Sequence, residues 1–158
     1  KFSELVETVN SKMGGENEVE MEWMMGLTAE DQTMRTYHWQ NALNLAPNHP
    51  MIATFYSFNQ PSVAVKEAVI RRVLENHPGN AGLCNVMGYI LMAQDKMEEA
   101  KEYFQFNVEY HEDLANSFDS MGDWYVRNGD KEAALEMFQK AADMDPTNFS
   151  FNPDRAEE

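Results

Sequence analysis

The sequence has very little cysteine and no long apolar run. Cys84 is its only cysteine, which excludes an internal disulfide and a metal cage built from thiolates. The longest nearly apolar run, residues 83–93, is too short to span a bilayer. No signal peptide is visible, but the chain begins at Lys1, so we expect that upstream sequence was removed and hides any targeting segment. The sequence predicts a soluble protein of the cytoplasm or the periplasm.

Catalytic motifs are also missing. The sequence contains no Gly-x-Ser-x-Gly elbow, no phosphate-binding glycine loop and no His-x-x-x-His or His-Glu-x-x-His spacing. His49 and His77 stand beside prolines in predicted turns, where a solvated role is usual. Asp143 and Asp145 lie near a predicted helix end, where carboxylates more often cap or solvate than bind metal. We therefore expect no catalytic residue, no cofactor and no metal ion, and the chain is predicted not to be an enzyme.

Basic residues are few as well. The chain has 12 lysines and arginines against 27 acidic residues, a formal net charge of −15. Such a field repels phosphate backbones and anionic membrane surfaces, which argues against a nucleic-acid or membrane partner. It would attract a basic peptide or a basic protein face. The alternative is that the acidic residues only solvate the outer helix faces, and the sequence leaves both interpretations open.

What the sequence does contain is one pattern written twice between residues 85 and 146. Equivalent residues are separated by 34 positions, and a fixed period in this range is typical of stacked repeats. Positions 8, 11, 20 and 24 of the repeat are occupied by Gly88, Leu91, Ala100 and Phe104 in one copy and by Gly122, Tyr125, Ala134 and Phe138 in the next. The second copy adds Ala141 at position 27 and Pro146 at position 32.

Each copy predicts two amphipathic helices joined by a short polar turn. In the second copy the first helix ends at Gly129, which suits a left-handed residue, and Asp130 caps the next helix. In the first copy we expect Asp95 to be the cap, with Glu98 completing a capping box. Small residues at positions 8 and 20 indicate that the paired helices approach closely.

These positions closely resemble the tetratricopeptide repeat. The resemblance implies an all-α fold, a right-handed superhelical stack of antiparallel helix pairs with about nine helices. We expect one domain over residues 1–158: a leading helix (1–15), a degenerate repeat (16–47), a shortened repeat (48–80), two full repeats (81–114 and 115–148) and a tail (149–158). Counting Pro47 as position 32 places Arg35 at position 20, where the family has a small residue. The shortened repeat loses three residues, and we expect the loss in the connection at residues 59–62.

In tetratricopeptide proteins the first helix of each repeat lines a concave groove. The resemblance implies groove residues at Thr54, Phe58, Asn85, Tyr89, Met92, Ala93, Asn116, Asp119, Asp123, Val126 and Arg127. Such a groove suits an extended segment with a basic or amide-bearing residue. Family members that clamp a carboxylate use lysine and arginine here, whereas position 5 is Asn85 or Asp119 in this chain, so that function is not implied. Tyr89 and Met92 could instead only pack within the groove wall.

A narrower resemblance concerns residues 85–89 and 115–122, which look like a variant found in bacterial tetratricopeptide proteins whose repeats accompany other modules. It implies a bacterial source. Two functions are therefore predicted: a non-catalytic scaffold that binds a protein or peptide, or an accessory or oligomerisation domain of a larger enzyme or signalling protein. The last helix has no polar helix after it, so either Phe149 and Phe151 fold back over it or another subunit covers it, and a homodimer is one prediction.

Overall fold

The computed structural model describes residues 16–157, and this part of the chain is all helical. Its eight α-helices are α1 (Glu16–Thr28), α2 (Gln32–Leu45), α3 (Pro50–Phe58), α4 (Val63–Leu74), α5 (Ala81–Met92), α6 (Met97–Tyr110), α7 (Ala115–Asn128) and α8 (Lys131–Met144). A short 3-10 helix, Pro153–Glu157, follows. The sequence predicts about nine helices; the proposed leading helix at residues 1–15 lies outside the described residues. The chain divides into two compact units between His77 and Pro78, and the predicted domain boundaries remain predictions.

The first unit begins with the packed pair α1 and α2. Asp31 caps α2, because its carboxylate accepts the backbone N–H groups of Thr33 and Met34. Gly26 on α1 lies directly under the Trp39 ring of α2, so that any Cβ at this position would clash with the ring. Trp39 is almost fully buried, and its indole contacts a second aromatic ring, Phe55 of α3, at 5.5 Å between centroids. An aromatic cluster therefore forms the core of this unit.

Helices α3 and α4 form the shortened repeat. Their connection is residues 59–62, and Ser62 caps α4 through its hydroxyl, so the predicted site of the missing residues is where the chain turns. The buried side chains of α4 are Ile70, Val73 and Leu74. The sequence pattern also predicts Ala64 and Ala68 in the buried stripe, but both are exposed, because they lie on a different side of α4 from Ile70.

The second unit contains the two full repeats, α5 with α6 and α7 with α8. In each pair the glycine of the first helix lies against the phenylalanine of the second, Gly88 against Phe104 and Gly122 against Phe138. Both rings are buried, and a Cβ on either glycine would clash with the facing ring. The predicted close approach of paired helices is therefore present in both copies.

Trp124 links neighbouring repeats in this unit. Its indole Nε1 donates a hydrogen bond to the backbone carbonyl of Met97 at 2.9 Å, at the start of α6. The Lys101 ammonium lies 4.9 Å from the centre of the same ring, which adds a cation–π contact. The side chain is 2% exposed, so its N–H group and its apolar ring both find their partners inside the unit.

The two full repeats end their first helices differently. Gly129 follows α7 with φ 82°, as predicted, and Asp130 caps α8 by accepting the Ala133 N–H. The predicted cap at Asp95 is wrong. Asp95 itself has φ 59°, and the residue before α6 is Lys96, whose side chain makes no capping hydrogen bond. Asp95 takes the left-handed conformation that Gly129 has in the next repeat.

Two histidines hold the loops that precede first helices. His77 Nε2 lies 2.8 Å from the Asn48 carbonyl oxygen, and His111 Nε2 lies 2.9 Å from the Gly79 carbonyl oxygen. A carbonyl only accepts, so the ring nitrogen is the donor in both contacts. His49 also has a structural role, since it caps α3 by accepting the Ile52 N–H. His49 is exposed and His77 half-buried, and each also fixes a backbone group, which the sequence did not predict.

Candidate functional site

The most developed polar site among the described residues lies on α5 and α7. The Tyr89 hydroxyl donates to Asp123 Oδ2 at 2.7 Å, and Ser120 Oγ lies 3.3 Å from the same hydroxyl oxygen. Tyr89 and Asp123 are 34 residues apart, so equivalent positions of consecutive repeats touch each other. Asp119 is one helical turn before Asp123 and shares its face of α7.

Burial fixes the protonation state of this contact. Tyr89 is half-buried, and its ring lies edge-on to Phe104 at 5.2 Å between centroids. Its pKa is raised well above the ordinary tyrosine value, chiefly because burial disfavours the phenolate, with the neighbouring Asp123 adding to the shift. The phenol is therefore a permanent donor at physiological pH, and it orients one oxygen of the Asp123 carboxylate.

The C-terminal segment, residues 149–157, brings an arginine to the two aspartates. Arg155 Nη1 lies 2.6 Å from Asp119 Oδ1, and Arg155 Nη2 lies 2.8 Å from Asp123 Oδ1 and 3.4 Å from Asp119 Oδ2. Its guanidinium carbon lies 4.0 Å from the centre of the Phe138 ring. Hydrogen bonding to Asp119 is the main reason that the pKa of Arg155 is raised. We call Asp119, Asp123 and Phe138 the arginine site.

The same segment covers apolar surface of the last repeat. Ala156 is 4% exposed and packs with Ala134 and Phe138. Phe149 is half-buried against a cluster that includes Phe118. Phe151, by contrast, is 42% exposed. Of the two phenylalanines considered for this role, Phe149 folds back and Phe151 does not, and Ala156 takes the second position.

The turn that directs this segment is held by Asp145. Its carboxylate accepts the Asn148 side-chain amide at 2.7 Å and the backbone N–H groups of Thr147 and Asn148 at 3.2 Å. These donors, the Asn148 side chain first, lower the pKa of Asp145. The carboxylate after α8 therefore holds the turn that follows the helix.

The other predicted groove residues of the second unit lie on the same two helices. Asn85 and Met92 are half-buried on α5, whereas Asn116 and Arg127 are exposed on α7. The Asn85 Oδ1 atom is buried and has no hydrogen-bond partner within residues 16–157. Arg127 Nη2 lies 3.3 Å from Asp95 Oδ1, and both side chains are well exposed. Tyr89, Asp119 and Asp123 are thus the predicted residues that interact in one network.

Thr54 and Phe58 belong to α3 in the first unit. Thr54 is half-buried, and Phe58 is 60% exposed. Phe58 lines an open depression together with Tyr37 and the hydrogen-bonded pair Gln32 and Asn59, whose side chains meet at 2.9 Å. This depression is an apolar surface with a few amide groups, and it contains no charged side chain among its lining residues.

The part of the chain that the structure describes contains no side-chain cluster suited to bind a metal ion. No group of three or more histidine, cysteine or acidic side chains within residues 16–157 could hold a metal ion. His38 is buried with its Nδ1 2.8 Å from Glu22 Oε2, an isolated pair of ligand-type residues. No described helix is both long enough and apolar enough to traverse a bilayer.

Comparison with known proteins now identifies the repeat. Residues 80–147 match the family model described as tetratricopeptide repeat. This segment belongs to the tetratricopeptide repeat family. It covers α5 to α8, the helices that carry the arginine site and most of the predicted groove residues. Its two glycine–phenylalanine contacts recur at the same repeat positions, whereas the sequence pattern paired these glycines with Ala100 and Ala134.

Solved structures extend the likeness to the rest of the fold. The MamA protein is 15% identical with a TM-score of 0.65, over 85% of this chain and 75% of that chain. TTC0263, a thermophilic tetratricopeptide protein of Thermus thermophilus, is 13% identical with a TM-score of 0.70, over 88% of this chain and 76% of its own. At such identities the likeness concerns the fold, an α-solenoid of antiparallel helix pairs.

A third similar structure is YrrB, which is 19% identical with a TM-score of 0.60 over 73% of this chain and 61% of that chain. It is described as a tetratricopeptide protein with an unusual peptide-binding site. The predicted fold class and family are therefore confirmed.

Sequence reasoning missed the contact of Arg155 with the two aspartates. The prediction placed Asp119 and Asp123 in a groove that would attract a basic residue, but in the tail it considered only Phe149 and Phe151. A signal was present, because Arg155 is the one basic residue after Lys140. Two aspartates one turn apart on a half-buried helix face also require a cation or water nearby.

Proposed function

We propose that the chain is a non-catalytic interaction scaffold that binds an extended protein segment along α5 and α7. The observation that supports this most directly is the network of Tyr89, Asp119 and Asp123, which combines a fixed donor with two oriented carboxylates. Tyr89 and Asp123 occupy position 9 of successive repeats, so a segment lying across α5 and α7 would meet both side chains. Asn85, with its unpaired amide oxygen, adds a further polar group on α5.

The electrostatics of this surface favour a basic segment. The chain carries a formal charge of −15, which speeds the approach of cationic partners. Asp119 and Asp123 have side-chain exposures of 16% and 33%, so they are shielded enough from water for a charge-assisted hydrogen bond to matter. Nothing in this chemistry suits a carboxylate ligand.

One argument for the alternative function, an accessory or oligomerisation domain, is now weaker. That hypothesis drew on an apolar face of the last helix with nothing to cover it. Phe149 and Ala156 now lie over parts of that surface. Self-association remains a prediction, but the scaffold hypothesis explains more of the polar network.

The test is affinity capture on the immobilised full chain, with Asn116→Arg as the groove variant. Asn116 is exposed on α7 and makes none of the contacts to Arg155, so the substitution obstructs the groove without removing the arginine site. The matched control is Gln105→Arg, the same kind of change at an exposed position of α6. Captured proteins are identified by mass spectrometry, and the affinity of the purified partner is then measured.

We expect a partner that binds the wild type and the Gln105→Arg variant but is lost by Asn116→Arg. A partner that tolerates Asn116→Arg and is lost by Gln105→Arg would show that the opposite helix face binds. Recovery of no protein other than the chain itself would contradict the scaffold hypothesis.

A further inference from the structure

The arginine site is already occupied by the chain's own C-terminal segment. Arg155 makes three contacts of 2.6, 2.8 and 3.4 Å with Asp119 and Asp123 and stacks on Phe138. Each of these groups belongs to the last repeat, and two of them were predicted from sequence to bind a foreign segment. The segment therefore lies where a ligand is proposed to lie.

The geometry selects a guanidinium over an ammonium. The two carboxylates belong to successive turns of α7, and a planar fork with several N–H donors reaches both at once while its face lies on a ring. A lysine ammonium is a compact charge that cannot stack in this way. The neighbouring Ala156 is small and buried, so the site has one polar and one apolar position, filled by consecutive residues.

The attachment of the segment is limited. The 3-10 helix has five residues, and residues 150–154 before Arg155 are exposed. Arg155 itself has a side-chain exposure of 34%, so one side of the contact faces water. A segment held by one side-chain anchor and one small apolar residue opens at lower free energy than the helices beneath it.

We propose that residues 152–157 act as a ligand in cis, and that the partner of the groove is an extended segment of another protein whose arginine displaces Arg155. This inference rests on the proposed function, since it names the chemistry of the segment that the scaffold binds. The chain's own Asp154-Arg155-Ala156 is then the internal copy of the recognition sequence. Binding of the partner is reduced by the fraction of molecules in which the internal copy occupies the site.

The experiment uses a fluorescein-labelled peptide with the sequence of residues 148–158, added to full-length protein. Fluorescence anisotropy measures its dissociation constant for the wild type and for the Arg155→Ala variant, in which the site is empty. The matched control is Arg72→Ala, which removes an exposed arginine of the first unit whose guanidinium donates to the Pro47 carbonyl and does not contact the site. Circular dichroism and thermal unfolding establish that each variant is folded before binding is measured.

We expect Arg155→Ala to bind the peptide at least about ten-fold more tightly than the wild type or Arg72→Ala, because competition in cis is removed. A peptide with alanine at position 155 should not bind. A second variant that carries Arg155→Ala together with Asp119→Asn should lose the gain, which ties the binding to the arginine site. A peptide with lysine at position 155 should bind more weakly than the original.

Three results would overturn the proposal. The folded Arg155→Ala protein could fail to bind the peptide, it could bind no better than the wild type, or Asp119→Asn could leave its affinity unchanged. A fourth concerns the occupant. If the wild type associates with itself in sedimentation experiments and Arg155→Ala does not, the arginine comes from a second copy and not from another protein.

Failure of this inference and failure of the scaffold hypothesis give different patterns. A captured partner that is sensitive to Asn116→Arg but unaffected by Arg155→Ala and by the peptide keeps the scaffold hypothesis and rejects the displacement. A peptide that binds Arg155→Ala strongly, with no foreign protein captured by either form, rejects the scaffold hypothesis, and with it the proposed partner.

Discussion

Both units pack an aromatic ring of one helix against a glycine of the partner helix, but the large residue and the glycine exchange positions 8 and 11 of the repeat. In the second unit, position 8 of the repeat is glycine and position 11 is large, as in Gly88 and Leu91. In the first unit, position 8 is Trp23 and position 11 is Gly26. In both units an aromatic side chain from position 24 lies against the glycine, wherever that glycine is. Trp23 and Trp39 then lie 6.1 Å apart between ring centroids.

This difference shows that the repeat requires a fit between two helices more strictly than it requires one residue at one position. Where the ring on one helix is larger, the glycine that makes room for it lies one turn further along the other helix. Arg35 fits the same view. It stands where the full repeats have a buried alanine, but its guanidinium reaches out to donate to the Ala29 carbonyl at 2.8 Å. The bulky side chain therefore leaves the helix interface.

The largest predicted effect concerns the aromatic residue at position 24 of a full repeat. Phe104→Ala should lower the free energy of unfolding by about 3–5 kcal/mol, because it removes a fully buried ring. Urea unfolding followed by circular dichroism measures the change. Phe106→Ala on the same helix is the control, and it should cost clearly less, since Phe106 is only half-buried. Equal losses would mean that the glycine–phenylalanine contact is not the main packing unit.

The second prediction tests whether Gly26 is equivalent to Gly88. Gly26→Ala and Gly88→Ala should each destabilise the protein by about 1–3 kcal/mol, because the new methyl group clashes with the facing ring. Gly82→Ala is the control on an exposed part of α5, where better helix propensity should add up to about 1 kcal/mol. If Gly26→Ala stabilises the protein as Gly82→Ala does, the exchanged packing of the first unit is wrong.

The third prediction concerns the left-handed residue after α7. Gly129→Ala should cost about 1–2 kcal/mol, because φ of 82° places a Cβ in steric conflict with the backbone, although the surrounding space is open. Asn128→Ala at the neighbouring exposed helical position is the control and should stay within about 0.5 kcal/mol. Thermal unfolding at matched conditions distinguishes them, and equal stabilities would contradict a strained alanine at this turn.

The smallest effect is a pH dependence that belongs to the second unit. Burial raises the pKa of the Cys84 thiol to about 11 from an ordinary value of 9.0. The unfolded thiol therefore ionises first, so this group stabilises the fold fully below pH 9 and the contribution is lost between about pH 9 and 11. Iodoacetamide should label Cys84 slowly in the native protein at about pH 8 and quickly in urea. Native labelling as fast as that of the unfolded chain would contradict burial of the thiol.

The sequence predicted much of this fold because its period is visible in residues of extreme size. Gly88, Gly122, Phe104 and Phe138 can be aligned by eye, and the repeat turns follow from Gly129 and Asp130. The exchange of large and small residues in the first unit could not be predicted from repeat positions alone, since it depends on the packing of the Trp39 ring against Gly26. The cap expected in the first full repeat was wrong because the left-handed conformation of an aspartate is not specified by its chemistry.

The candidate site was predictable in part. Tyr89, Asp119 and Asp123 were named because the resemblance to tetratricopeptide repeats implies that positions 5 and 9 face a groove. The contact with Arg155 depends on a turn built by Asp145 and on the direction in which the chain then runs. A single arginine in an acidic segment is not part of the repeat pattern, so only a three-dimensional structure relates it to the two aspartates.

The distribution of tryptophan gives each unit its own optical signature. Trp23 and Trp39 lie with Phe55 in the first unit, whereas Trp124 is the one tryptophan of the second, bonded to a carbonyl and beneath a lysine ammonium. The indole environments are therefore distinct in polarity and in nearby charge. Replacing Trp124 alone, or Trp23 and Trp39 together, with phenylalanine leaves tryptophan emission from the other unit only, so that the melting of each half can be followed separately.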